Sequence, residues 1–188
     1  MKQEELLEIL KVAEKLKCNT RHSYTSTGRQ ESVAEHSWRI TLMAMLLEDE
    51  YPELDMNKVI KMCLIHDLGE AFTGDIPAFY KTDADTDKED VIFENWVDGF
   101  SEPTRTKWKT LLEEMNALQT EEARLYKSID KIEAIISHNE ADISTWLPLE
   151  YELQLTYGQD IMESSSYMKE LRKHVDSWTK RKIEESKS

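Results

Sequence analysis

His66 and Asp67 stand side by side in a stretch that is otherwise apolar, running from Val59 and Ile60 through Cys63 and Leu64. Adjacent residues of a helix point ~100° apart. Both can still reach one cation if it sits in a groove between helices and other helices supply further ligands. His36 and Asp130 are the candidates, because each falls in an apolar-periodic segment where an unpaired polar group is costly. Two neutral imidazoles and two carboxylates make a charge-neutral site for one divalent cation and can leave positions open for water. That donor set admits manganese, cobalt, nickel, iron or zinc, whereas imidazole is a poor partner for magnesium. Glu70 follows His66 by four residues, which is one helical face, and Gly74 relaxes the backbone just before Asp75. These two carboxylates flank the candidate cation site and are the kind of group that general acid–base chemistry needs. Taken singly, each residue has a plainer reading. A helical histidine is more often a hydrogen-bonded core residue, Asp130 can pair with Lys127 or Lys131, Glu70 can be a solvated helix-end acid and Asp75 a turn residue. The whole string His66-Asp67-Leu68-Gly69-Glu70-Ala71-Phe72-Thr73-Gly74-Asp75-Ile76-Pro77 shifts the balance toward a site.

Helices must position these groups. Glycine and proline are scarce, five and four in 188 residues, and spacing near 3.6 residues recurs where strand-like alternation does not. Leu6, Ile9, Leu10, Ala13 and Leu16 form one face of a first helix. Residues 18–31 read as a polar connection containing Gly28. Ser32-Val33-Ala34-Glu35 has the form of a capping box and starts a second helix carrying His36 near its beginning. Asp55 caps a third, which runs through His66-Asp67 to about 71–74. Residues 81–90, rich in aspartate, read as a mobile loop. Helices follow over 91–100, 103–117 and 121–143, and after Pro148 a last one spans 161–183. No internal repeat is present. The expectation is one all-α domain of about six to eight helices over 1–188, with its core at about 6–171 and a disordered tail at about 184–188.

Composition narrows the function. Two cysteines far apart, Cys18 and Cys63, form neither a disulfide framework nor a zinc cluster, and they suit a reducing cytoplasm. The polar start Met1-Lys2-Gln3-Glu4-Glu5 is not followed by a signal-peptide core. No stretch approaches the ~20 apolar residues that span a bilayer. The net charge of −14 argues against nucleic-acid polymers as partners, so an anionic substrate needs a sharply focused local cation.

Four segments together carry a resemblance: Asn19-Thr20-Arg21, Glu31-Ser32-Val33-Ala34-Glu35-His36-Ser37, the string from His66 to Pro77, and Ser128-Ile129-Asp130-Lys131. In this order and spacing the chain resembles the HD-domain superfamily of metal-dependent phosphohydrolases, and within it the small YfbR-like 5'-deoxynucleotidases. The likeness spans about 6–171. It implies a compact helical HD domain, one divalent metal held by His36, His66, Asp67 and Asp130, and Glu70 and Asp75 handling the attacking water and proton transfer. Arg21 matches the arginine that holds the substrate phosphate. His22 departs from the tryptophan that commonly follows it, so base and sugar contacts fall to His22 or to another aromatic such as Trp38 or Trp146. No histidine lies between Asp67 and Asp130. Two-metal relatives usually draw extra histidines from that interval, so simple hydrolysis at one metal is favoured over oxygen chemistry. The reading is hydrolysis of (deoxy)nucleoside 5'-monophosphates to nucleoside and phosphate. The alternatives are action on another phosphorylated metabolite, a diphosphate or a phosphodiester, and, more remotely, a non-catalytic ligand-sensing module. The resemblance also implies a homodimer, for which the segment 146–157 offers apolar-rich surface.

Overall fold

The best-buried segment is the one that carries Asp130. A computed structural model describes residues 1–187 and places α7 (Glu121–Glu140) at the centre of the molecule. Ile129, Ile132 and Ile135 of α7 are inaccessible to solvent, as are Val33, Ile40 and Ala44 of α2 (Val33–Leu46) and Val59, Met62 and Cys63 of α3 (Met56–Ile65). These three helices make the main core. Around them lie α1 (Gln3–Glu14), α4 (Glu70–Thr73), α5 (Asp83–Asp98), α6 (Thr104–Ala117), α8 (Glu150–Thr156), α9 (Gln159–Met162) and α10 (Ser166–Glu185). Eight helices of seven residues or more, among the described residues, agree with the expected all-α bundle; α4 and α9 are single turns. No helix among them is long and apolar enough to cross a membrane.

Four local readings need correction. Residues 18–31 are not merely a connection: β1 (Thr20–Tyr24) and β2 (Gln30–Ser32) pair antiparallel. The strands are too polar to show alternation, and Gly28 at φ +83° closes the turn. The third helix stops at Ile65 rather than continuing to 71–74. From there Leu68, Glu70, Ala71 and Phe72 donate their N–H groups to carbonyls three residues back, a tighter winding than an α-helix. The segment 81–90 is not a mobile loop: from Asp83 onward it is the start of α5. Thr82 and Asp85 form a reciprocal capping box, and acidic side chains are favoured at a helix N-terminus. The last helix begins at Ser166, five residues late. Residues 159–162 form the separate turn α9, which ends at Met162, and Ser165 then caps α10 by accepting from the Met168 N–H. That helix continues to Glu185, into the tail expected to be disordered; Ser188 lies outside the described residues.

The expected cap of α2 is present. Ser32 Oγ accepts from the Glu35 N–H at 3.3 Å, and the Glu35 carboxylate accepts from the Ser32 N–H at 2.8 Å. This fixes the first turn of α2, which carries His36. Ser32→Ala is expected to cost about 1 kcal/mol and to lower the melting temperature by about 2–4 °C. An unchanged thermal melt by circular dichroism would show that the cap does not hold the turn.

Candidate metal centre and phosphate site

α2, α3 and α7 meet where their polar residues face inward. His36 and Asp130 come from α2 and α7, and His66 and Asp67 from the tight turn after α3. His36 Nε2 lies 3.1 Å from Asp130 Oδ1 and 3.9 Å from Asp67 Oδ2. His66 Nε2 lies 2.9 Å from Asp67 Oδ1 and 3.6 Å from Asp130 Oδ1. The structure thus brings together all four residues expected at the metal.

The other ring nitrogens decide what the cluster can hold. His36 Nδ1 faces Glu133 Oε2 at 2.5 Å, and His66 Nδ1 faces the Cys63 carbonyl at 3.0 Å. A carbonyl only accepts, so His66 carries its proton on Nδ1 and the neutral ring turns an Nε2 lone pair toward the carboxylates. That buried Nε2 finds no hydrogen-bond partner. Lone pairs converging on carboxylate oxygens are stable only around a positive charge. A divalent cation fits, and the donor set suits a borderline transition metal. Without it a proton takes the place: burial opposes the charged form of His66, but Asp67 and Asp130 outweigh it and raise the ring to about 10. Lys127 Nζ holds the other oxygen, Asp130 Oδ2, at 2.7 Å. The pairing weighed for Asp130 from sequence is therefore real, and it leaves Oδ1 to the cluster.

Glu70 and Asp75 lie beside this centre. Glu70 is 4% exposed and its Oε2 has no hydrogen-bond partner. Burial, reinforced by the carboxylates of Asp67, Asp75 and Glu89, pushes its carboxyl up to about 10, so Glu70 keeps its proton at neutral pH. Burial also raises Asp75, with Arg21 opposing.

Arg21 on β1 provides the local cation. Its Nη1 sits 3.9 Å from both Glu31 Oε2 and Glu133 Oε2, and its Nε 3.9 Å from Asp75 Oδ1. None of these is a hydrogen bond, and buried Nη1 is unpartnered. Burial works against the charge, but Asp67, Glu133 and Glu31 hold it on, and the guanidinium stays charged. The role of Asn19 in the same segment becomes visible here. Its Nδ2 donates to the Glu70 carbonyl at 2.6 Å, tying the hairpin to α4. The weaker cations considered from sequence are already engaged: Arg29 with Glu35 at 2.7 Å and Lys81 with Glu89 at 2.6 Å.

Two clefts border the centre. One, of about 810 Å³, is lined by His66, Asp67, Glu89, Asp90 and Glu94 and by Lys81 and Lys127, each lysine paired with a carboxylate, so that the wall stays net acidic. The other, of about 490 Å³, has Arg21 and Asp75 in its wall together with His22, Phe79, His138 and Tyr157. His22 therefore lies where a substrate-contacting residue was expected, with its ring edge-on to Phe79 at 5.4 Å. Trp38 and Trp146 do not. Trp38 lies in an apolar groove with Leu6, Leu64 and Trp96. Trp146 is buried, its indole N–H donating to the His138 carbonyl. Sequence reasoning missed Phe79, Glu133 and Glu31. Glu133, three residues beyond Asp130 on a core-facing stripe, was the detectable one; Phe79 lies in an irregular segment with no periodicity to mark it.

An HD-domain family model matches residues 13–172. The chain belongs to the HD domain family. Relatives of this HD domain include 5'-deoxynucleotidase HDDC2 of Dictyostelium discoideum, 34% identical over 145 residues, covering 69% of this chain and 74% of the relative. The protein of the same name from Homo sapiens is 27% identical over 139 residues, 72% of this chain and 67% of that one. Among solved structures, a protein titled "predicted metal-dependent phosphohydrolase" from Magnetospirillum magnetotacticum MS-1 has the same fold. It matches with a TM-score of 0.79 and 23% identity over 96% of this chain and 92% of that one. A conserved hypothetical protein from Pyrococcus furiosus matches with a TM-score of 0.68 and 29% identity over 93% and 99%. Membership of the HD domain family implies a divalent metal, and the four-residue cluster is a centre able to hold it.

Proposed function

We propose that this HD domain is a 5'-deoxynucleotidase that hydrolyses deoxynucleoside 5'-monophosphates, with His36, His66, Asp67 and Asp130 as metal ligands. The observation that carries the reading is the juxtaposition of the converging imidazole and carboxylate groups with a buried, unpartnered Arg21 Nη1. The names of its relatives support the substrate class. When bound, a divalent cation supplies a Lewis acid that polarises a phosphoryl oxygen and acidifies water. Arg21 neutralises and orients the phosphate, a task suited to its planar fork. The nucleoside lies in the cleft beyond it, against His22, Phe79 and Tyr157. Asp75, beside Arg21, accepts the proton of the attacking water. Glu70, which holds its proton, donates it to the leaving 5'-oxygen as the phosphorus–oxygen bond breaks. No residue need be esterified on the way. The ion is proposed to be manganese, cobalt, nickel, iron or zinc, and the compartment the cytoplasm.

The test is phosphate release by metal-stripped protein resupplied with each of these ions. The substrates are deoxy- and ribonucleoside 5'-monophosphates, 3'-monophosphates, a nucleoside diphosphate and a phosphodiester. Release confined to 5'-monophosphates supports the reading. Cleavage of the diphosphate or diester alone moves the chain to another phosphohydrolase class, and no turnover on any of them points to ligand sensing.

Arg21→Ala is expected to lower kcat/KM for 5'-monophosphates by roughly 10- to 100-fold, the scale of a lost charge-assisted hydrogen bond. Arg21→Lys keeps the charge without the fork and should fall between. An unchanged kcat/KM in Arg21→Ala would place the phosphate elsewhere. The homodimer is likewise proposed, to be checked by light scattering at micromolar concentration. In the segment 146–157 Trp146 is buried but Leu149 is exposed, and Trp38, Met45 and Leu46 offer a second exposed apolar surface.

A further inference from the structure

A second cluster of imidazole and carboxylate groups lies in the wall of the Arg21 cleft, and none of its members belongs to the HD centre. His138 Nε2 is 2.9 Å from Glu150 Oε1, and His22 Nε2 is 3.4 Å from Glu150 Oε2. The candidate ligand atoms of the three residues all lie within 4.8 Å of one another. We propose that His22, His138 and Glu150 form a second site for a borderline divalent cation, of the zinc, cobalt or nickel type, open to the substrate cleft.

The tautomer of His138 carries the argument. Its Nδ1 faces the Ala134 carbonyl at 2.8 Å. That carbonyl can only accept, so Nδ1 carries a proton, and a neutral ring with that tautomer points an Nε2 lone pair at Glu150 Oε1. Two acceptors facing each other across 2.9 Å repel unless a positive charge lies between them. The same arrangement marks His66 in the HD centre, where Nδ1 faces the Cys63 carbonyl and Nε2 meets carboxylate oxygen.

The geometry suits a metal. Bonds of 2.0–2.2 Å to nitrogen and oxygen in a tetrahedral site set neighbouring ligand atoms about 3.3 Å apart. The observed 2.9 Å from His138 Nε2 to Glu150 Oε1 and 3.4 Å from His22 Nε2 to Glu150 Oε2 fall on either side of that value, each to a different oxygen of the one carboxylate. Glu150 is 1% exposed, and its Oε2 also accepts from the Leu147 N–H at 2.6 Å, which fixes the carboxylate plane. Two histidines and one glutamate leave a fourth position for water or for a donor atom of whatever occupies the cleft. Two imidazoles in the set disfavour magnesium and calcium. Metal binding here does not depend on the 5'-deoxynucleotidase reading.

The test uses the full chain, stripped with chelator and titrated with Co²⁺. Bound metal is counted by elemental analysis, and imidazole signals are followed by NMR. Wild type is expected to show strongly shifted signals for four histidines, His22, His36, His66 and His138, with exposed His174 as the unshifted control. His138→Ala and Glu150→Gln should each hold one equivalent less than wild type. Asp67→Ala should lose the HD equivalent but keep shifted His22 and His138, so failure of one centre is distinguishable from failure of the other. The proposal is overturned if only His36 and His66 shift in wild type, or if His138→Ala and Glu150→Gln bind as much metal as wild type. Either result would leave a proton-bridged hydrogen-bond network. The wild-type NMR arm decides the matter even if a variant does not fold.

Discussion

Asp67→Ala is expected to lose its HD-centre metal and to show no measurable phosphate release, with the helical circular dichroism of wild type retained. The reason is charge balance in a largely buried site. Two neutral imidazoles and two carboxylates offset a dication. Without Asp67 the centre keeps one carboxylate, and Asp130 already shares its charge with Lys127 at 2.7 Å. A buried dication would then carry an unbalanced positive charge beside Arg21, a strongly unfavourable state. His66→Ala should behave alike, because it removes the ring whose buried Nε2 finds no other partner. The fold should survive both changes, since Val59, Met62 and Cys63 anchor α3 in the core without them. Chelator-treated wild type should match the variants and recover on adding metal, whereas the variants should not recover. Full occupancy of the HD centre in Asp67→Ala would remove the central claim about it.

How much of this was legible in the sequence depended on whether the signal was local. The capping box at Ser32 and Glu35 and the apolar stripe around Ile129, Ile132 and Ile135 are short-range patterns, and the structure contains both. His36, His66, Asp67 and Asp130 could be grouped because an isolated polar group on an apolar helical stripe demands a partner. The hairpin was hidden because Thr20-Arg21-His22-Ser23 has no apolar alternation; its strands are held by pairing and by contacts such as Asn19 to Glu70. The acidic run after Lys81 was misread because charge density suggests disorder, whereas two of those acids, Asp83 and Asp85, sit in the first turn of a capped helix. The His22–His138–Glu150 cluster joins residues up to 128 positions apart, and nothing in their local spacing announces it.

Glu70→Gln is expected to keep the HD-centre metal while kcat for deoxynucleoside 5'-monophosphates falls by about 10²–10⁴-fold, the usual contribution of a positioned proton donor. Glutamine preserves size and polarity but carries no acidic proton for the leaving 5'-oxygen. In wild type, burial and the carboxylates of Asp67, Asp75 and Glu89 favour the protonated form of the Glu70 carboxyl. KM should change little, because Glu70 acts where the phosphorus–oxygen bond breaks and not where the ground state binds. A structural defect would slow all substrates alike, so the leaving group separates the two explanations. p-Nitrophenyl phosphate departs as a stable anion and needs little proton donation; its hydrolysis should fall far less than that of a 5'-nucleotide. Asp75→Asn, placed on the water side, should slow both substrates to a similar degree. Equal losses for both substrates in Glu70→Gln would remove Glu70 from the leaving-group side, and loss of bound metal would make it a ligand. A sparing of p-nitrophenyl phosphate alone would assign the proton on Glu70 to the leaving oxygen.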